Sequence, residues 1–66
     1  MNKNDLLVLT FLKSHFSKSD KPIVDLDISI PGLDILDISE SIDYLNSKGY
    51  INVLKKHILN AVVSIN

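Results

Sequence analysis

Along the amino-terminal third of the chain, apolar side chains return every third or fourth position, with Val8, Leu9, Leu12 and Phe16 on one stripe and Lys13 and Ser14 opposite. That period predicts a helix from Asp5 to Phe16, with Asn4 as its cap. Leu7 and Phe11 widen the apolar arc beyond one stripe, which suits a helix covered on two sides or one that meets a second copy. From Ser17 to Pro22 the period disappears and a proline follows, so this stretch reads as a loop.

The next segment admits two readings. Val24, Leu26, Ile28 and Ile30 alternate with Asp25, Asp27 and Ser29, as in a half-buried strand. Alternatively, Ile23, Leu26 and Ile30 form the buried face of a short helix. The extended reading is preferred, and Pro31-Gly32 ends the element in either version. From Asp34 to Lys48 the helical period returns, with Ile35, Ile38, Ile42 and Leu45 in one arc. Asp34 or Asp37 can cap this helix, Asp37-Ile38-Ser39-Glu40 has the spacing of a capping box, and Gly49 suits a left-handed exit.

Tyr50 to Leu54 and Leu59 to Ile65 are rich in β-branched residues, with Leu59, Ala61, Val63 and Ile65 on one side. They predict a terminal β-hairpin turning near Lys55-Lys56-His57-Ile58. As the last strand, Leu59 to Ile65 would offer an open edge for pairing with a second copy. The fold class expected is therefore α+β: two main helices, a short extended or helical segment between them, and a C-terminal hairpin.

Sixty-six residues support one core and one domain, and with 45% hydrophobic residues and only two glycines and two prolines the chain suits a globule better than a disordered tail. The absence of cysteine removes disulfides and thiolate-ligated zinc, so packing must hold the fold. No apolar run approaches a membrane span, and Asp5 and neighbouring polar residues interrupt the start where a signal peptide would be apolar; a cytoplasmic location without membrane contact is expected.

Charge changes the picture because the signs are segregated. Asp25, Asp27, Asp34, Asp37, Glu40 and Asp43 fall between Pro22 and Ser47 with no cation among them, while seven lysines oppose only Asp5 and Asp20 on the flanks. A net charge of −1 thus conceals an acidic centre between basic ends. All seven of those cations are lysine, so the bidentate contacts that arginine makes to phosphate or guanine are unavailable.

The run Ile38-Ser39-Glu40-Ser41-Ile42-Asp43-Tyr44-Leu45-Asn46-Ser47-Lys48-Gly49-Tyr50-Ile51 resembles the third helix and first wing strand of the winged helix-turn-helix family. Pro31-Gly32-Leu33-Asp34 falls where that family turns into its third helix, and the order of elements agrees over nearly the whole chain. The departure is the second helix, which would have to fit between Val24 and Ile30 and is therefore rudimentary or missing. The resemblance implies a winged-helix-like regulatory domain that binds duplex DNA in transcription regulation. It implies contact through a lysine-bearing wing, here Lys55, Lys56 and His57 with Lys48 nearby, and a homodimer would double so small a basic footprint.

The acids oppose ordinary groove reading by the third helix. Asp37, Glu40 and Asp43 would face a polyanion, and no lysine or arginine on that face could release counterions. Read as a protein surface instead, the same face presents Leu36 and Tyr44 among carboxylates, suited to a basic partner and to an adaptor or inhibitor role. Blander readings stand beside both: acids as a solvated face favouring the helix dipole, Tyr44 leaning on the first helix, and lysines guarding a hairpin tip. His15 and His57 lie on different elements with no partner spacing for a metal, no carboxylate is placed for acid–base work, and Gly32 and Gly49 are isolated. The expectation is a non-enzyme without cofactor, metal or small-molecule substrate.

Overall fold

The first helix starts earlier than the apolar stripe alone suggests, because a reciprocal cap lies two residues ahead of the expected one. α1 spans Lys3–Lys18, and its cap is Asn2 rather than Asn4. Asn2 Oδ1 accepts from the Asp5 amide at 2.8 Å, and Asp5 Oδ2 accepts from the Asn2 amide at 3.0 Å. Two otherwise orphaned donors are satisfied by that exchange, which Asn4 could not match with Leu7 three residues on. Val8, Leu9 and Leu12 are buried, whereas Leu7 is exposed and Phe11 half-buried. The helix continues past Phe16 through polar residues, and His15 Nε2 donates to the Lys21 carbonyl at 2.7 Å, folding the following loop back on its last turn.

The computed structural model describes residues 1–56 and 59–66. After α1 come a two-residue strand β1 (Ile23–Val24), a 3₁₀ turn (Asp25–Asp27), helix α2 (Ile35–Ser47), strand β2 (Ile51–Lys56) and strand β3 (Leu59–Ile65). The strands form one antiparallel sheet in the order β1-β3-β2, so the protein is a small α+β domain. Lys55 and Lys56 belong to β2 rather than to a broad turn; the rest of that expected turn, His57 and Ile58, lies outside the described residues.

The segment 23–30 is neither a full strand nor a helix. Its extended part ends after Val24, and the 3₁₀ turn then rotates the chain so that Asp25 is buried while Leu26 is 64% exposed. Both sequence readings had placed Leu26 inside. Its exposure follows from the turn, which directs Asp25 inward instead, where its Oδ2 accepts from Ser39 Oγ of α2 at 3.3 Å. Ile28 recovers the inward direction and is buried.

α2 is capped by Asp34, whose Oδ1 accepts from the Asp37 amide at 2.9 Å while Asp37 Oδ2 accepts from the Asp34 amide at 3.2 Å. The capping box thus lies one turn earlier than the Asp37–Glu40 spacing suggests. Ile38, Ile42 and Leu45 are buried as the period predicts, but Ile35, at the first helical position, is 46% exposed because the helix begins beyond the edge of the core. Gly49 has φ +82°, the left-handed conformation through which the chain leaves α2 for β2.

Ile51 and Val62 turn inward against Val8, Leu9, Leu12, Ile28, Ile38, Ile42 and Leu45, so both helices cover one face of the sheet. A register shift opposite Asn52 and Val53 puts one extra residue into β3. It breaks the expected alternation: Val62, not Val63, enters the core, and Ile65 joins it three residues later opposite Ile51. β3 is the central strand: β2 pairs along one side of it, while on the other side β1 pairs only with Ala61 and Val62, so the edge expected on the last strand is covered at those two residues. β2 is the other outer strand of the sheet.

Candidate interaction surface on the second helix and the hairpin

The capping box and the core together decide which side chains of α2 remain available. Ile38, Ser41, Ile42 and Leu45 face inward, and Asp37 is partly committed to the backbone of Asp34. Glu40 and Asp43 remain exposed, and Leu36 is 66% exposed beside them. The Ser39–Asp25 hydrogen bond fixes the 3₁₀ turn alongside the first half of α2, so Leu26, Ile35 and Leu36 emerge on neighbouring segments. Asp27 on the turn, Asp34 at the cap of α2, and Glu40 and Asp43 on the helix are exposed as well. Leu26 and Ile35 were not singled out from the sequence, since their periodic spacing assigned them to the core.

Tyr44 lies on a different side of the helix from Leu36. It is half-buried and lines a crevice of about 200 Å³ between the starts of the two helices, together with Asn2, Asn4, Asp5, Asp37, Glu40 and Ser41. The Lys48 ammonium stands 5.9 Å from the centre of the Tyr44 ring, within range of a weak cation–π contact. Asp5 is buried there, but its carboxylate caps its own helix. Among the described residues no group of three or more histidines or carboxylates is arranged to hold a metal ion.

The basic residues are spread along the hairpin rather than gathered. Lys48 terminates α2, ahead of the start of β2, whereas Lys55 lies near the far end of that strand, roughly 13 Å further along. Lys55 Nζ is 3.8 Å from Asp43 Oδ1, an exposed pair that turns one of the hairpin's two strand lysines toward the acidic helix. Such a pair contributes little to stability, but it brings a negative group to the place where a phosphate contact would form. Lys56 closes β2; its side chain, like the whole of His57, lies outside the described residues.

A second, wider groove of about 450 Å³ runs between the last turns of α1 and the end of β3, lined by Lys13, Phe16, Ser17, Asp20, Val63, Ser64 and Ile65. Its charged side chains are one lysine and one carboxylate, Lys13 and Asp20, both exposed. Among the described residues no helix is long and apolar enough to cross a membrane. Compared with known proteins, the chain matches no family model, no curated protein and no solved structure.

Proposed function

We propose that this chain is a small non-catalytic interaction module of the cytoplasm, an adaptor or inhibitor that docks the outer face of α2 onto a basic protein surface. The observation that carries this reading is the exposure of Leu36 at 66% on a helix whose remaining outward charges, Glu40 and Asp43, are all acidic. Exposed leucines inside a carboxylate rim give a partner both steering and apolar contact area. Asp37 and Tyr44 contribute at the inner margin, beside the crevice at the start of α1. The test compares recovery of basic proteins from extract by the wild-type chain and by a Leu36→Ser/Glu40→Gln/Asp43→Asn variant with unchanged thermal stability. Selective loss from the variant is expected; equal recovery would overturn the proposal.

A second reading rests on a different observation. The order of elements is that of the winged-helix resemblance, with the 3₁₀ turn standing where the second helix would be, and the Lys55 side chain is 66% exposed on the strand that would form the wing. On this reading Lys48, Lys55, Lys56 and His57 touch duplex DNA in transcription regulation, through phosphates rather than bases. Binding to random-sequence duplex that falls steeply with salt, and disappears in a Lys55→Gln/Lys56→Gln variant, would support it over the first.

A further inference from the structure

We infer that the crevice between the starts of α1 and α2 receives the guanidinium of an arginine side chain carried by the partner. The inference rests on the reading of α2 as a face that docks on a basic protein, and it names the group that anchors that contact. Asp37, Glu40, Ser41 and Tyr44 follow one another at i, i+3, i+4 and i+7, so a single stripe of α2 lines the crevice. Asn4 and Asp5 at the start of α1 line it too, so three carboxylates border a space of about 200 Å³.

Acidity alone would make only a solvated rim, but two of the polar groups in the crevice are buried and still have bonding capacity to spare. Asp5 is 4% exposed; its Oδ2 accepts from the Asn2 amide, and its Oδ1 has no hydrogen-bond partner among the described residues. Ser41 is 2% exposed, and its Oγ has no partner among them either. Buried polar atoms are ordinarily paired. Neither oxygen is sealed from solvent as Asp25 Oδ1 is, so a group entering the crevice can reach them. Asp37 repeats the pattern of Asp5, with Oδ2 held by the Asp34 amide and Oδ1 unused. The two capping boxes thus fix these carboxylates in place before any ligand arrives, which lowers the ordering cost of binding.

Charge and shape select the occupant. Among the described residues the one ion pair is Lys55–Asp43, so no ammonium of the chain pairs with Asp5, Asp37 or Glu40. The two helix starts offset about half a unit of charge each, which leaves the three carboxylates with roughly −2 to be matched by a cation. They are not arranged to converge on a metal ion. Acceptors set apart in this way suit a guanidinium, whose five donors lie in one plane and whose face stacks on an aromatic ring, here Tyr44. An ammonium is compact and strongly hydrated, and the space is several times the roughly 30 Å³ share of one water, so a lysine would leave most of it to solvent.

The chain has no tryptophan and two tyrosines, so Tyr50→Phe leaves Tyr44 as the sole fluorescent reporter. In that background N-acetyl-arginine amide should change the Tyr44 emission saturably, and N-acetyl-lysine amide at equal ionic strength should not. Glu40→Gln should weaken the arginine response about two- to fivefold, as for an exposed pair, and Asp5→Asn about tenfold or more, because its carboxylate is buried. An asparagine at position 5 can still accept from the Asn2 amide. Should Asp5→Asn nevertheless fail to fold, Asn4→Lys places a cation of the chain itself at the crevice, and loss of the response is expected. A lysine-rich polypeptide titrated in parallel separates the inference from the reading it rests on. If the polypeptide binds while the two small probes act alike, or neither acts, the arginine site is overturned and the docking of α2 stands. If neither the polypeptide nor the arginine probe binds, both are overturned.

Discussion

Helix α2 and the stretch just before it, residues 22 to 33, have similar apolar content, yet they relate to their sequences in opposite ways. In α2 the side chains that repeat at helical spacing, Ile38, Ile42 and Leu45, are buried together with the small Ser41, and the acids between them are exposed. In the preceding stretch a carboxylate is buried and a leucine is exposed: Asp25 at 4% and Leu26 at 64%. Three helical turns average over several contacts, so their direction is set by the period itself. A three-residue turn has no period, and a single tertiary partner, here Ser39, sets its orientation.

The largest expected effect breaks the comparison on its regular side. Leu45→Ala or Ile42→Ala should cost about 2–5 kcal/mol by chemical denaturation, since both side chains are fully buried. In so small a domain that loss approaches the whole stability. Leu36→Ala on the same helix should change stability by no more than about 0.5 kcal/mol, because its side chain is mostly in solvent. Equal losses at the two positions would mean that the exposed face packs against something in the isolated chain.

A smaller effect sharpens the irregular side. Asp25 Oδ2 is satisfied by Ser39, while Oδ1 finds no hydrogen-bond partner among the described residues. Ser39→Ala leaves the whole buried carboxylate unsatisfied and should cost about 1–3 kcal/mol. Adding Asp25→Val to Ser39→Ala should recover part of that loss, because an apolar pair has no polar atoms to strand. A double-mutant cycle measures the recovery, and strict additivity of the two changes would show that the bond does not orient the turn.

Caps come next. Asn2→Ala and Asp34→Ala should each lower the thermal midpoint by an amount corresponding to about 1 kcal/mol, while Asn4→Ala should have a far smaller effect. Smallest of all is the Asp43–Lys55 pair, exposed on both sides, where Lys55→Gln should change stability by about 0.5 kcal/mol or less. That variant matters for binding rather than for folding.

The same physical distinction explains what could be read from the amino acids. Two helices, a terminal hairpin and an α+β class followed from long periodic runs. The cap of α1 was missed because the apolar stripe begins at Val8, well inside the helix, while the Asn2–Asp5 reciprocity lies outside it. Val62 was missed because one extra residue in β3 reverses the alternation, and nothing in Leu59 to Ile65 marks where it falls. The central position of β3 depends on a two-residue pairing with β1, too short to leave a pattern.

At the candidate surface, the exposed acids Glu40 and Asp43 were legible from helical spacing. The direction of Tyr44 and the pairing of Lys55 with Asp43 were not, since both depend on how α2 lies against α1 and β2. Leu26 and Ile35 became visible only when the turn and the start of the helix were placed. They enlarge the apolar part of the surface and shift its centre toward the first turn of α2.

The most direct test of the docking assignment is to titrate the purified chain, from low to physiological salt, against a lysine-rich polypeptide and random-sequence duplex DNA in parallel. The account predicts that the polypeptide binds, that Leu36→Ser/Glu40→Gln weakens it, and that the duplex is not retained even at low salt. Retention of the duplex that vanishes in Lys55→Gln/Lys56→Gln, with no binding of the polypeptide, would contradict it and assign the hairpin as the working surface.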